Sequence, residues 1–499
     1  MSATIDAVAS DTHRKGLRKD AVGLLGSTTI GLASTAPAFS LAATIAFLVL
    51  AVGTQAPAAM LLAFIPMLFT AIAYRELNRV VPDCGTTFTW ATKAFGPHIG
   101  WMGGWGIAAT GIIFVANAAD VVGNYTLALF NREDLQASRK AVVGIGLLFI
   151  ILMTWIAYRG IEGIARMQYA LVGIQFVVLL VVAIMALKAA TSVDKPEAAL
   201  TPELGWLNPF GFDNWSSFTE AILLGIFIYW GWDTVLSINE ETTDSSKTPG
   251  RAAVLSTVLL LAIYLLVTYA VISYAGVGET SLITEDNSAD VLNVVAEPLL
   301  GSIGTPILLL TVLLSTAASL QTTIMPTARS ALAMSVYKAL PQRFARIHPK
   351  HLTPSFSTIM MGVVGAVFYV GFKYISDNLL QDTILSIGLG ISFYYGITAF
   401  TAVWYFRKEA FAGLREFCFL FLLPLLGGLM LAAAFVKSAI DMWSPDYGST
   451  TLLGVGGVFV CGIGALLVGV VLMFVWQAIA PAFFRRETLR HDTAVLVPE

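Results

Sequence analysis

A chain of 499 residues that is 57% hydrophobic and only 12% charged, with a mean hydropathy of +0.77, is no water-soluble globule, in which about a quarter of residues carry charge. A net charge of −3 and a pI near 6.0 provide no basic face for nucleic acid. Cys84, Cys418 and Cys461 are scattered thiols without a CxxC pair, so neither a disulfide framework nor a cysteine metal site is expected.

The first 20 residues are polar and mixed in charge, and the apolar run after them leads into many more, so no cleaved signal peptide is read. Crossing about 30 Å of hydrocarbon takes roughly 20 helical residues. By that measure the chain is all-α with about twelve spans, near 22–51, 56–80, 99–130, 140–158, 162–189, 215–239, 252–276, 302–336, 355–375, 380–407, 415–437 and 451–480. An even number places both termini on one side. With the tails inside, 22 of the 29 Lys and Arg residues fall in inward segments, which makes 1–21 and 481–499 cytoplasmic tails. His13, His98, His348, His351 and His491 read as tail and loop residues, none where a membrane haem would need a ligand. No cofactor is expected, and no nucleophile and base constellation marks a membrane enzyme.

Span one, "LLGSTTIGLASTAPAFSLAATIAFLVL", holds Gly26, Gly31, a Ser/Thr cluster and Pro37 in mid-run. Proline suits the first turn of a helix and Ser or Thr can cap it, so Ser34, Thr35 and Pro37 read as the start of a second half-helix. Span three carries Asp120 in "FVANAADVVGNY", an acid in the membrane with no evident Lys or Arg partner in the nearby spans. Such acids mark ion or substrate paths. Asp120 is read either as the holder of a substrate's distal amine or a proton, or as a carboxyl satisfied by Asn117 or Asn124. Span six, "FIYWGWDTVLSINEET", breaks at Tyr229 to Asp233, with Asp233 placed as a cap of the half-helix that follows and a structural acceptor, against a direct ligand or a coupling group. Trp230 and Trp232 are candidates to close over a substrate or stack on a cation, against plain packing. Glu240 and Glu241 fall at the inner mouth, on a solvated face or paired with a basic loop. The outward loop near 277–301 is acidic (Glu279, Glu285, Asp286, Asp290, Glu297), and "SADVLNVVAEPLLG" has apolar residues at helical spacing, read as an amphipathic surface helix or, alternatively, an extracellular gate element. In span eight, Thr316 and Ser319 offer hydroxyls to a sodium ion, although such residues also serve ordinary helix packing.

Spans one and six are both broken, and they lie five spans apart. An odd offset puts two five-span units in opposite orientation, and paired broken helices in inverted halves point to the binding site of a secondary transporter. Four stretches carry a resemblance to a known family: "FIYWGWDTVLSINEE"; "YRELNRVVPDCGTTFTWATKAFGPHIGWMGGW", like the loop and re-entrant helix after span two; "ARSALAMSVYKALPQRFARIHPKHLTP", like the close of span eight; and "TTIGLAST" in span one. Together they resemble the amino acid, polyamine and organocation permeases across nearly the whole chain. The resemblance implies the leucine-transporter fold, a first inverted repeat over 22–189, a second over 190–407 and two further helices over 408–480. It implies a substrate site at Ile30, Gly31, Ala33, Ser34 and Thr35 of span one and Phe227, Ile228, Trp230 and Trp232 of span six, with Asp120 nearby. The free N–H groups of span one would suit a carboxylate, and the free carbonyls of Phe227, Ile228 and Trp230 an ammonium.

The sequence departs from the family pattern twice. Ala33 stands where a second glycine is expected in the span-one break. Gln175 of span five stands where proton-coupled members often carry a lysine, and a glutamine cannot titrate. The expected function is a permease moving an amino acid or related amine by alternating access in the plasma membrane, with a bacterial inner membrane favoured by the short tails and loops. A polyamine or organic cation carrier and a nontransporting nutrient sensor on the same fold are the alternatives. With Gln175 unable to titrate, coupling is read at Asp120 or Asp233, or the protein is an exchanger or a facilitator, and the residues leave open whether a proton or sodium ion is coupled.

Overall fold

The computed structural model describes residues 15–494 apart from 213–214, 279–280, 285–290, 377 and 453. The described chain is helical almost throughout, because a helix is the one open-ended element that satisfies its own backbone hydrogen bonds in lipid. Span one forms α1 (Leu24–Thr35) and α2 (Pro37–Val52), followed by α3 (Ala56–Val80), the short α4 (Thr87–Phe95), α5 (Pro97–Leu129), α6 (Arg139–Arg159) and α7 (Ile161–Ala190). Span six is α8 (Trp215–Tyr229) and the four-residue α9 (Thr234–Ser237). Then come α10 (Thr248–Ala275), α11 (Val291–Leu300), α12 (Gly304–Val336), α13 (Ser355–Lys373), α14 (Leu379–Tyr405), α15 (Leu423–Asp441) and α16 (Gly457–Ile479).

Among the described residues ten stretches are long and apolar enough to cross a membrane. The first, Leu24–Val80, holds the two expected spans 22–51 and 56–80, while the broken span six offers only the shorter apolar stretch Ser217–Tyr229. The protein is therefore an all-α, multi-span membrane protein. Span twelve starts later than expected, at Gly457, because Thr451–Leu452 and Val455–Gly456 pair as a small antiparallel hairpin.

Layering follows from which residues tolerate lipid. The middle of α5, α12 and α14 is almost wholly buried, and α5 packs against both of the others. The outer helices turn apolar side chains outward, such as Leu148, Ile151 and Trp155 of α6, Val436 and Ile440 of α15, and Val471 and Phe474 of α16. Both tails lie on one face, where Leu17 from the N-terminal side and Phe483, Phe484 and Leu489 from the C-terminal side share an apolar cluster with Phe88, Trp101 and Tyr337.

The amphipathic helix expected in the outward loop is α11, which buries Val291, Leu292, Val295 and Ala296. It packs on α12, α7 and α2, so it covers the far end of span one. Of the acids named in that loop, Glu279, Glu285, Asp286 and Asp290 lie outside the described residues, as does His13. His98, expected in a loop, sits in the first turn of α5.

Candidate functional site

The two interruptions meet. In span one the break falls at Ala36, whose left-handed backbone (φ 46, ψ 66) ends α1, and Pro37 opens α2 at the position where its missing N–H costs nothing. In span six the break falls at Gly231, with φ +117. A Cβ at Gly231 would lie 2.7 Å from both the carbonyl carbon and oxygen of Ser34 and 3.0 Å from the Thr35 nitrogen. Only glycine lets the span-six backbone rest on the Ser34–Thr35 peptide. A hydroxyl pair, Ser34 Oγ to Thr234 Oγ1 at 2.8 Å, ties the same two segments.

Spans five and eight brace the break from behind. Ser319 Oγ donates to the Ser34 carbonyl at 2.7 Å. The Phe39 N–H, in the first turn of α2, donates to Ser315 Oγ at 3.3 Å, and Ser315 in turn donates to Gln175 Oε1 at 2.8 Å. Gln175 thus buttresses the start of α2 as an uncharged acceptor. Thr316 turns its hydroxyl to its own helix, on the Val312 carbonyl at 2.8 Å, so of the two sodium candidates only Ser319 meets span one.

Aromatic side chains line the span-six break on both sides. Phe39 meets Phe227 and Phe114 edge-on at 6.3 and 6.1 Å, and Phe114 meets Trp230 at 5.2 Å. Toward the tail face, Trp232 is fully buried against Tyr74 at 5.2 Å and Tyr395 at 5.0 Å, and Tyr74 also touches Trp90 of α4. The two tryptophans therefore differ: Trp230 belongs to the aromatic group around the break, and Trp232 to a plug beneath it.

Asp233 is not the helix cap expected of it. Its side chain makes no capping hydrogen bond, and the element that follows is only four residues long. Instead, the Trp230 indole N–H donates to the Tyr394 hydroxyl at 2.5 Å, and Tyr394 donates to Asp233 Oδ2 at 3.0 Å. The carboxylate is the final acceptor of a buried relay joining span six to α14. Of the three carbonyls expected to be free, that of Phe227 accepts the Trp230 N–H at 3.0 Å and that of Ile228 accepts the Tyr264 hydroxyl at 3.0 Å.

Other expected site residues are engaged in packing or pairing of their own. α1 runs unbroken through Ile30, Gly31 and Ala33. Ile30 belongs to a small apolar cluster with Val22, Ile238 and Met325. Gly31 lets α1 approach α10, since a Cβ there would lie 2.7 Å from Ser256 Oγ. Ala33 contributes its carbonyl, which accepts the Ala36 N–H at 3.1 Å. Asp120 has the partner the sequence did not reveal: Lys373, at the end of α13, sits 2.6 Å from Oδ1. Tyr369 and Asn124 add longer hydrogen bonds at 3.4 and 3.3 Å, so the reading of Asp120 as an unpaired distal-amine ligand loses its ground. Conversely, sequence reasoning passed over Phe39, Phe114, Tyr264, Tyr74 and the Tyr394–Tyr395 pair. The "FYYG" doublet among small residues of span ten was the available signal.

The tail face is closed by buried charge. Glu240 and Glu241 are fully buried, not on a solvated face. Lys15 Nζ lies 2.6 Å from Glu240 Oε1 and 2.7 Å from Asp83 Oδ2, and Arg329 Nε lies 2.5 Å from Glu241 Oε2. The Cys84 N–H also donates to Glu240, and the Tyr337 hydroxyl and Thr89 Oγ1 donate to Asp83. Burial alone would strip the proton from Lys15, yet the carboxylates of Asp83 and Glu240 hold its amine well above the ordinary value. Burial works against the Asp83 carboxylate as well, but Lys15 and the Gly85 and Thr89 donors hold it below the usual range. The N-terminal segment also bonds directly to span six, through Ala21 N–H to the Glu241 carbonyl at 2.8 Å.

A buried bundle with two touching broken helices, an aromatic surround and a charge-sealed face has the architecture of a membrane carrier. The chain belongs to the amino acid permease family, whose profile matches residues 21–451, within the amino acid, polyamine and organocation permeases. A branched-chain amino acid permease of Lactococcus lactis is 27% identical over 208 residues, covering 39% of this chain and 43% of that protein. A low-affinity putrescine importer of Escherichia coli is 25% identical over 390 residues, covering 76% and 80%. A large neutral amino acids transporter small subunit 2 of Oryctolagus cuniculus is 26% identical over 329 residues, covering 60% and 57%.

Proposed function

We propose that the protein is a secondary active permease that carries an amino acid or related amine across the plasma membrane by alternating access, with both tails cytoplasmic. The reading rests above all on the seat of Gly231 against the Ser34–Thr35 peptide. Interrupted backbone at membrane depth survives only inside protein or around a cavity, and here two interruptions are held against each other. The N-terminal end of α2 carries a positive dipole end suited to a carboxylate. The carbonyls closing α8 at Phe227 and Ile228 each keep a second lone pair for an ammonium. The relatives named for branched-chain amino acids, putrescine and large neutral amino acids support a small amine-bearing substrate.

In this reading the aromatic plug at Trp232 and the Lys15–Asp83–Glu240 latch close the inner path, and alternating access requires them to separate. Proton coupling, with Gln175 unable to titrate, falls to Asp233. Uptake of radiolabelled leucine, lysine and putrescine by proteoliposomes tests the proposal. Saturable uptake of at least one is expected. Specific binding without any uptake would favour a nontransporting sensor.

A further inference from the structure

A cavity of about 540 Å³ lies at the face opposite the tails, where α2 ends and α8 and α14 begin. Leu50, Ser217, Glu220, Asn378, Gln381 and Ser449 line it. Most of its polar groups are engaged with one another: Asn378 Oδ1 accepts the Gln381 N–H, and Ser449 Oγ donates to Gln381 Oε1 at 2.5 Å. Asp382 behind them is satisfied by Ser376 Oγ and the Ser449 N–H. Glu220 is different. It is half-buried, lines the cavity, and makes no ion pair or hydrogen bond with a described residue. Lys437, on the adjoining α15, is already taken by both oxygens of Asp441 at 2.5 Å.

Glu220 also stands seven residues before Phe227 on α8. Seven residues are close to two helical turns, so the two share one stripe of the helix, about 10 Å apart along its axis. The stripe that carries Phe227 to Phe39 at the break carries Glu220 into the cavity. A carboxylate without a protein counter-charge, in a polar recess one step outside the break, attracts cations and repels anions.

From this geometry we infer that the cavity is an outer docking site for organic ammonium groups, with Glu220 as its charge determinant. It favours substrates whose positive charge is not balanced by a carboxylate of their own, such as diamines and basic amino acids, over zwitterions. The inference rests on the permease reading and deepens it toward cationic amines.

The test is transport kinetics in proteoliposomes, comparing putrescine with leucine. Glu220→Gln is expected to raise the putrescine KM about two- to fivefold, the range for one partly exposed charge pair, with kcat and the leucine KM unmoved. The difference should shrink at high salt. Leu50→Lys, which keeps Glu220 but adds a cation to the cavity, should act in the same direction, and Glu220→Asp should restore the wild-type KM. An unchanged putrescine KM in both variants, or equal shifts for putrescine and leucine, overturns the docking site while leaving the permease intact. So does a wild-type protein that carries leucine and is neither inhibited by putrescine nor able to carry it. Absence of any uptake overturns both readings together.

Discussion

Gly231 holds two roles that no side-chain-bearing residue could combine, a backbone at φ +117 and a seat on the Ser34 carbonyl. Gly231→Ala is expected to cost at least about 1–2 kcal/mol of stability from the backbone alone and to cut uptake more than tenfold. Circular dichroism melting and proteoliposome flux check this, and wild-type flux would separate the break from function. Asp120 illustrates the opposite lesson. Its sequence neighbourhood offered no base, because Lys373 lies 253 positions further on and reaches it only through the packing of α13 on α5. Asp120→Asn strands a partly buried ammonium, so melting should fall by about 1–3 kcal/mol, with basic and neutral substrates affected alike. A selective loss of basic substrates would restore Asp120 to the substrate path.

At the scale of elements, the helices were legible because apolar runs of membrane length admit one solution. α3 and α5 fall within two residues of the expected ends. The break in span one was legible in place through Pro37, which opens α2 as read, although Ser34 and Thr35 close α1 instead and the Ile30–Ala33 stretch, which the family resemblance puts in the break, folds as helix. The latch between the N-terminal segment, the α3–α4 loop and the end of span six was invisible, since no periodicity links Lys15, Asp83 and Glu240. Lys15→Gln leaves Asp83 and Glu240 buried without a counter-charge, a loss of about 3–5 kcal/mol for a buried pair. In a Cys418→Ala, Cys461→Ala background it should speed maleimide labelling of Cys84, which is fully buried beside the latch. Unchanged labelling would show that the latch does not seal this face. Its pH dependence follows from the shifts. A lowered Asp83 contributes stability above its unfolded value, lost as acid reaches the folded one. A raised Lys15 contributes below its unfolded value, lost only as alkali reaches the folded one. The latch is thus complete between the ordinary carboxylate and amine ranges, and labelling should be flat across neutral pH.

For the whole molecule, the proposed transport has to join two faces: the cavity holding Glu220, opposite the tails, and the tail face, where Lys15, Asp83, Glu240, Glu241 and Arg329 are buried together. Between them Asp233 is the carboxylate next to the break, joined to it by the Tyr394 relay. Asp233→Asn preserves an acceptor for Tyr394 and should leave melting nearly unchanged. If Asp233 carries the coupled proton, concentrative uptake falls and what remains becomes indifferent to an uncoupler. Retained, uncoupler-sensitive accumulation would place the coupling elsewhere.

Composition alone determined that this chain lives in a membrane, because 57% hydrophobic residues leave too little polar surface for water. Run length determined most of its helices, since lipid demands self-satisfied backbone. Motif order pointed to the family. Tertiary structure alone decided which polar groups meet: that Asp120 is neutralised by Lys373, that Asp233 accepts a relay and caps nothing, and that Glu240 is sealed by a lysine 225 positions earlier in the chain. Partner choice among buried charges depends on which faces of distant helices are pressed together, and sequence spacing carries no trace of that.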